Sequence, residues 1–165
     1  MDSRGLYDDD IYAWSEQQAA VLRGMAARGG RLPSDLDIEH VAEEIEDVGK
    51  SQRDAAESFL RPILSHLIKL AVAPTAQPAK RWRSEIVSLQ IELLARLTPS
   101  MASRIDMDRL WRFARREARA RLDADEVGAT SAAFWDVRQS PFSLEALANE
   151  DLDLDRLIAR LHCLG

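Results

Sequence analysis

Residues 37–72 read DIEHVAEEIEDVGKSQRDAAESFLRPILSHLIKLAV, and this stretch decides the fold class. Its apolar residues recur every three or four positions for over thirty residues, the period of an amphipathic α-helix. Asp35 or Asp37 is placed to cap its start. Pro62 should kink it, because a proline ring clashes with the carbonyl four residues earlier. We predict one long bent helix or two stacked ones, with an inward stripe of Ile38, Val41, Ala42, Ile45, Val48, Gln52, Ala55, Ala56, Phe59, Leu60, Ile63, Leu64, Leu67, Leu70 and Ala71.

A first helix is predicted upstream of this stretch, with Asp8 as its N-cap and Gly29–Gly30 at its end. Tyr7 and Tyr12 have the spacing of a hydrophobic staple around that cap. Its inward stripe comprises Ile11, Trp14, Gln18, Val21, Leu22 and Met25.

Downstream, a loop at 73–78 is followed by a third helix at about 80–97, whose main stripe is Trp82, Ile86, Leu89, Leu93 and Leu97. Val87, Ile91 and Leu94 make it apolar on most sides, so it should be central or lie at an oligomer interface.

A fourth helix is predicted at about 101–122, with Ile105, Leu110, Trp111, Ala114, Ala118 and Leu122 inward. Residues 124–131 form a loop, Ser140–Pro141 supplies an N-cap and N1 pair for a short helix, and a last helix covers about 152–163. We find no alternating β pattern. The prediction is a single all-α domain, 1–165: a bundle of four main helices plus short C-terminal ones.

Composition and charge restrict the class of protein. With 46% hydrophobic and 30% charged residues, the composition is that of a globular protein. Its net charge of −6 argues against a nucleic-acid-binding protein, because such proteins need a basic surface for the phosphates. The single cysteine, Cys163, allows no intramolecular disulfide and suits a reducing cytoplasm. The N-terminus lacks an apolar signal region, and the longest apolar stretch, 63–73, is too short to span a membrane. We expect a cytoplasmic protein without membrane association.

The segment DIEHVAEEIED, 37–47, holds six carboxylates and a histidine. On a helical wheel most of them lie opposite the apolar stripe and should face water, and Glu44 lies at the margin. For Glu39, Glu43, Glu46 and Asp47 we expect near-normal pKa values and at most weak pairing to arginines. Di-iron bundles need inward carboxylates with Glu-x-x-His on two helices, and zinc proteases need His-Glu-x-x-His. Neither pattern occurs here, so we expect no metal and no cofactor.

His66 is the histidine nearest the apolar stripe, and we predict a packed histidine hydrogen-bonded to a neighbour. The alternative is an enzyme or metal-binding protein that uses Glu44 and His66. These two residues are 22 positions apart, roughly 33 Å on a straight helix. They could share a site only through a sharp fold-back or across an antiparallel dimer.

Catalytic motifs are absent: the chain has no Gly-x-Ser-x-Gly elbow, phosphate-binding loop or dinucleotide fingerprint. Although His162 precedes Cys163 in the sequence, we interpret Cys163 as a residue without a catalytic role. Arginines crowd the fourth helix between Arg104 and Arg121, and a nucleic-acid binder through this Arg-rich helix is the second alternative. Interleaved acids favour pairing within the protein or between subunits instead.

Several segments taken together closely resemble the bacterial family known as domain of unknown function 29: YDDDIYAWSEQQAAVLR (7–23), LDIEHVAEEIEDVGKSQR (36–53), HLIKL (66–70), RWRSEI (81–86) and the closing SPFSLEALANEDLDL (140–154). The resemblance implies an all-helical bacterial cytoplasmic domain and no established activity. Leu70 departs from the family's usual aromatic, and residues 155–165 extend past its closing motif. If the family shares a functional surface, the matching positions are Trp14, Glu43, Glu44, His66, Lys69 and Trp82.

The function that these observations favour is a non-enzymatic helical interaction or scaffold protein. Because the apolar helix surface exceeds what a small bundle can cover, we expect it to self-associate, as a homodimer or with another protein. The sequence does not indicate whether it takes a small-molecule ligand.

Overall fold

The computed structural model describes residues 3–29, 33, 35–124 and 133–164. Over these ranges the chain forms α-helices and short 3-10 helices, and no strand occurs among them. The predicted all-α fold is therefore confirmed. No helix in these ranges is both long and apolar enough to cross a membrane.

The four main helices of the sequence prediction are present as α2, α3, α4 and α5. The α-helices are α1 Ser3–Asp9, α2 Ile11–Ala27, α3 Ile38–Val72, α4 Ala79–Leu94, α5 Met107–Ala124, α6 Leu144–Leu147 and α7 Leu154–His162; 3-10 helices cover Pro99–Ser103 and Ala133–Trp135. Of the predicted loop at 124–131, Ala124 ends α5 and the rest lies outside the described residues.

The start of the first main helix differs from the prediction. Residues Ser3–Asp9 form a separate short helix, and the N-cap of α2 is Asp10 rather than Asp8, because the Asp10 carboxylate accepts from the backbone N–H of Ala13 at 3.0 Å. Tyr7 packs edge-on against Trp14, with ring centroids 4.8 Å apart. At the other end, Gly29 follows the helix with φ +66°, as a C-terminal glycine should.

The buried face of α2 was predicted one position out of register. The structure buries Tyr12, Ser15 and Ala19, whereas Val21 and Met25 are exposed. The reason is Gly49 on α3: a Cβ built there would lie 2.2 Å from Oγ of Ser15. The two helices approach so closely that only small side chains fit between them.

Helix α3 is one continuous element of 35 residues that passes through Pro62. Asp37 caps it, since its carboxylate accepts from the backbone N–H of His40 at 3.3 Å. Most of the predicted stripe is buried, but Val41 and Val48 are exposed and were wrongly included. A 3.6-residue repeat drifts across a helix this long, so one stripe cannot stay buried throughout.

The end of the third main helix and the start of the fourth also differ from the prediction. Helix α4 ends at Leu94, and residues predicted to begin the next helix form the 3-10 helix Pro99–Ser103 instead. Helix α5 begins only at Met107, where the Asp106 carboxylate accepts from the N–H of Arg109 at 2.8 Å. Its predicted inward residues are all buried.

The predicted Ser140–Pro141 cap is wrong as well. The N-cap of α6 is Ser143, whose hydroxyl accepts from Ala146 N at 3.2 Å. Ser140 instead donates its backbone N–H to Asp108 at 2.7 Å and bonds locally to Phe142.

The chain divides into two compact units: unit 1 is Met1–Ala56 with Arg96–Ile105, and unit 2 is Glu57–Ala95 with Asp106–Gly165. In unit 1 the fully buried apolar residues include three alanines, Ala19, Ala42 and Ala56, and one large side chain, Met101. Unit 2 has a core of large side chains: Leu60, Ile63, Leu64, Leu67, Ile68, Leu70, Ile86, Leu93, Trp111, Leu122 and Leu147.

Candidate functional site

Unit 2 contains a cleft of about 620 Å³, large enough for a small organic molecule. Three helices line it: the C-terminal half of α3, α4 and the end of α5. The lining comprises Pro62, Ser65, His66, Lys69, Pro78, Arg81, Trp82, Glu85, Ser88, Leu89, Glu117 and Arg121.

Helical periodicity explains why these side chains share one cleft. On α3 the lining positions are 62, 65, 66 and 69, and on α4 they are 81, 82, 85, 88 and 89. Steps of three and four place residues on one face of a helix. Each helix therefore turns a mixed polar and aromatic face to the cleft.

His66 and Glu85 form a pair across the cleft. Nε2 of His66 lies 3.0 Å from Oε2 of Glu85. Burial, helped by the nearby charge of Lys69, lowers the pKa of His66 to about 4, although Glu85 acts in the opposite direction. His66 is therefore a neutral imidazole at pH 7.

Glu85 is held in its ionised form. Arg81 donates its Nε–H to Oε1 of Glu85 at 2.7 Å, and this bond is the main reason that the pKa of Glu85 is lowered. The same carboxylate thus accepts a hydrogen bond from a guanidinium at one oxygen, and its other oxygen lies 3.0 Å from the imidazole Nε2. Arg81, Glu85 and His66 form one connected network on the wall of the cleft.

Two buried polar atoms on this wall have no hydrogen-bond partner within the described part of the chain. They are Nδ1 of His66 and Oγ of Ser65, and both residues line the cleft. Leaving such an atom unpaired costs about 1–3 kcal/mol, so proteins seldom do so without a reason.

Lys69 is buried, with only 5% of its surface exposed. Its Nζ lies 4.8 Å from the ring centroid of Trp82, so the aromatic face stabilises the ammonium group. A lysine this buried is uncommon, and here its charge is built into the cleft wall.

Helix α5 contributes the remaining charged side chains of the cleft lining, Glu117 and Arg121. Glu117 lies 3.5 Å from Nε of Arg121 and 3.7 Å from Nε of Arg61. The lining therefore holds three cations, Lys69, Arg81 and Arg121, against two carboxylates, Glu85 and Glu117. With His66 neutral, the cleft carries an excess of one positive charge.

Three of the six residues named from the sequence, His66, Lys69 and Trp82, line this cleft. Trp14, Glu43 and Glu44 belong to unit 1, where Glu43 and Glu44 are exposed. The cleft also holds side chains that were not predicted to join these three: Ser65, Arg81, Glu85, Glu117 and Arg121. The spacing of Arg81, Trp82 and Glu85 on one helix face was an available signal, but their proximity to His66 depends on tertiary packing.

The acidic segment pairs more strongly than predicted. Arg23 bonds to Glu39 at 2.9 Å and contacts both carboxylate oxygens of Glu46, which lowers the pKa of Glu46. Asp37 also has a lowered pKa, mainly through its bond to the His40 ring. The expectation of a near-normal pKa was wrong for Glu46. Among the described residues, no three His, Cys, Asp or Glu side chains cluster as a metal site would require.

The Arg-rich helix α5 uses most of its guanidinium groups inside unit 2. Arg109 bonds to Glu57, Arg115 donates to the carbonyl of Trp135, and Arg119 lies 5.8 Å from the Trp135 ring. Arg121 contacts Glu117. Arg115 and Arg119 thus hold Trp135 against α5, while Arg109 and Arg121 pair with carboxylates, as the prediction of internal pairing proposed.

The comparisons with known proteins agree with this architecture. The family model described as Domain of unknown function DUF29 matches residues 6–153. The chain belongs to the DUF29 family. A crystal structure of an α-helical protein of unknown function from Rhodospirillum rubrum resembles it, with 42% sequence identity and a TM-score of 0.83, covering 94% of this chain and 96% of that one. The comparison with curated proteins gives no match. These descriptions assign no function to DUF29.

Proposed function

We propose that this DUF29 protein binds a small organic anion in the cleft of unit 2. The observation that carries the proposal is the lining of a ligand-sized cleft, where the three cations Lys69, Arg81 and Arg121 face the two carboxylates of Glu85 and Glu117. A concave site with excess positive charge favours an anionic ligand, because charges interact more strongly where water is partly excluded.

The flanking arginines support the same ligand class. A guanidinium has five N–H donors, and the contacts of Arg81 and Arg121 with their glutamates use Nε. Their terminal amino groups can therefore meet a carboxylate or a phosphate, which fit the fork geometry of arginine. Trp82 adds an apolar surface for the body of the ligand.

A binding assay with defined probes tests the proposal. The probes are citrate, butyrate, phenylacetate, 3-hydroxybutyrate and inorganic phosphate. Their binding is measured by thermal shift and by calorimetry. At least one should bind, and Lys69→Met and Arg121→Gln should each weaken it by about tenfold or more, the cost of a charge-assisted hydrogen bond. Arg112→Gln is the matched control, since Arg112 is exposed on α5 and outside the cleft. Binding by none of the probes, or equal loss in the control, contradicts the proposal.

Self-association is a second candidate function. Val87 and Ile91 lie one turn apart on α4 and are 44% and 60% exposed, and adjacent exposed apolar side chains favour burial against another surface. A homodimer through this face is the form we infer, and sedimentation at micromolar concentration tests it.

We further infer that the protein works in a bacterial cytoplasm. The origin of the similar structure in Rhodospirillum rubrum supports the bacterial part. The single cysteine supports a reducing compartment, because it leaves the chain without an internal disulfide.

A further inference from the structure

Two aromatic side chains are exposed among the residues that the structure describes, and they lie in opposite electrostatic surroundings. Tyr7 on α1 is 53% exposed, and Phe113 on α5 is 50% exposed. The other tyrosine, phenylalanine and tryptophan side chains in the described ranges are buried or half-buried. Aromatic residues are enriched at protein interfaces, so both exposed rings are candidates for contact with another molecule.

Phe113 lies in a shallow groove of about 390 Å³ in unit 2, which we call the Phe113 groove. Arg61 of α3 lines it together with four residues of α5: Phe113, Arg116, Glu117 and Ala120. The seven steps from Phe113 to Ala120 span roughly 10 Å along the helix axis. The groove therefore has room for one short element, with an aromatic ring and a small apolar side chain on its floor.

The surroundings of the groove are positively charged. Glu117 lies 3.7 Å from Nε of Arg61 and 3.5 Å from Nε of Arg121, so its carboxylate is offset. Arg112 and Arg116 are exposed and have no ion-pair partner within the described part of the chain. They give the surface around Phe113 a positive charge that an acidic element complements.

Helix α1 has the opposite combination. Asp8 and Asp9 follow Tyr7 directly, and both are exposed. The ring of Tyr7 rests edge-on against Trp14, so it is held in place while about half of its surface stays open. With seven residues, α1 is roughly 10 Å long, the same length as the stretch of α5 that lines the groove.

Nucleic acid is the other class of partner that an arginine-rich surface suggests. The net charge of −6 repels a polyanion, whereas nucleic-acid-binding surfaces are basic and often neutralise several phosphates at once. The Phe113 groove offers two exposed arginines beside an aromatic ring. A compact element with one aromatic side chain and two carboxylates matches it more closely.

We propose that α1 of one copy docks in the Phe113 groove of a second copy, with Tyr7 against Phe113 and the two aspartates paired with Arg112 and Arg116. The two sides of this contact are different surfaces, so it is head-to-tail and leaves each copy able to bind a further one. It is separate from the homodimer through α4. Because one short helix buries little surface, the contact is weak and forms at about 0.1–1 mM rather than at micromolar concentration.

Charge-swapped variants test the proposal by static light scattering at about 0.1–1 mM. Each carries Ile91→Glu, which removes the contact proposed for α4, and the protein with this change alone should associate. Arg112→Glu with Arg116→Glu should weaken the association by about tenfold or more, and so should Asp8→Lys with Asp9→Lys, because like charges then meet. Mixing these two variants should restore it, because every groove then meets an α1 of opposite charge.

Arg156→Glu with Arg160→Glu is the matched control, since these exposed arginines have the same spacing on α7 and lie outside the groove. It should associate like the unswapped protein. Phe113→Ser should weaken association by about tenfold without changing the charge. A mixture that stays monomeric, or a control that also loses association, would contradict the proposal. So would an unswapped protein that stays monomeric, whether or not polyglutamate or an oligonucleotide binds the groove.

Discussion

Gly49 shows how one residue sets the approach of two helices. A side chain at this position would collide with Ser15, whose hydroxyl is already bonded to the carbonyl of Tyr12 at 2.8 Å. From sequence, Gly49 only weakens a helix by about 1 kcal/mol. In the structure it makes the packing of α2 on α3 possible.

Gly49→Ala should therefore destabilise the protein despite its better helix propensity. We expect a loss of about 1–3 kcal/mol in the free energy of unfolding, as for overpacked cores, measured by urea denaturation. Gly24→Ala is the control: its Cβ would meet only Arg28, at 3.5 Å, so it should stabilise by up to about 1 kcal/mol. Adding Ser15→Ala should restore most of the loss at Gly49. A stabilising Gly49→Ala would show that the helices are less closely packed.

His66 makes stability depend on pH. Its pKa is about 4 in the folded protein and 6.5 ordinarily, so below pH 6.5 the unfolded chain binds a proton that the folded protein does not. Stability from this residue is therefore complete above pH 6.5 and lost as the pH falls to 4. Between pH 7 and 4.5 the loss should be about 2–3 kcal/mol. Urea denaturation of the wild type and of His66→Phe measures it: the variant should lack this component, and parallel pH profiles would contradict the account.

At the scale of elements, Asp10 joins the start of α2 to the 3-10 helix Pro99–Ser103. Its carboxylate accepts from Ala13 N, Thr98 Oγ1, Ser100 N and Ser100 Oγ, at 2.6–3.0 Å. Burial opposes ionisation, yet these four bonds together lower the pKa of Asp10. One carboxylate thus caps a helix and anchors a segment almost ninety residues away.

Asp10→Ala should cost about 2–4 kcal/mol of unfolding free energy, from the lost cap and the donors left unpaired. Asp9→Ala provides the control, because Asp9 is exposed, and its effect should stay within about 0.5 kcal/mol. Thermal and urea unfolding measure both. Equal effects of the two substitutions would show that Asp10 does not anchor the segment.

The sequence predicted the main helices because their apolar periodicity is local information. It did not predict which face of α2 is buried, since that depends on the absence of a side chain at Gly49 on another helix. It also placed His66 near the core without identifying Glu85 as its partner. That pairing joins two helices across the loop at 73–78, and only tertiary packing decides which residues face each other there.

At the scale of the whole molecule, apolar surface remains on α4 after folding. Among the residues that the structure describes, Ile91 is the most exposed of the large apolar side chains. If this face mediates self-association, Ile91→Glu should leave the melting temperature of the monomer nearly unchanged and abolish the dimer. Sedimentation velocity over a concentration series measures this. Leu36→Glu is a control of similar exposure in unit 1, and it should leave the dimer intact. A monomeric wild type would contradict the proposal.

The central claim is that unit 2 holds a neutral histidine at an anion-binding cleft. Nitrogen NMR of the imidazoles across a pH titration, with and without citrate, tests it most directly. His66→Phe assigns the resonance, and exposed His40 is an internal reference, because its bond to Asp37 raises its pKa above 6.5. The account predicts that His66 titrates near pH 4 and responds to citrate. Titration of His66 near pH 6.5, with no response to citrate, would contradict it.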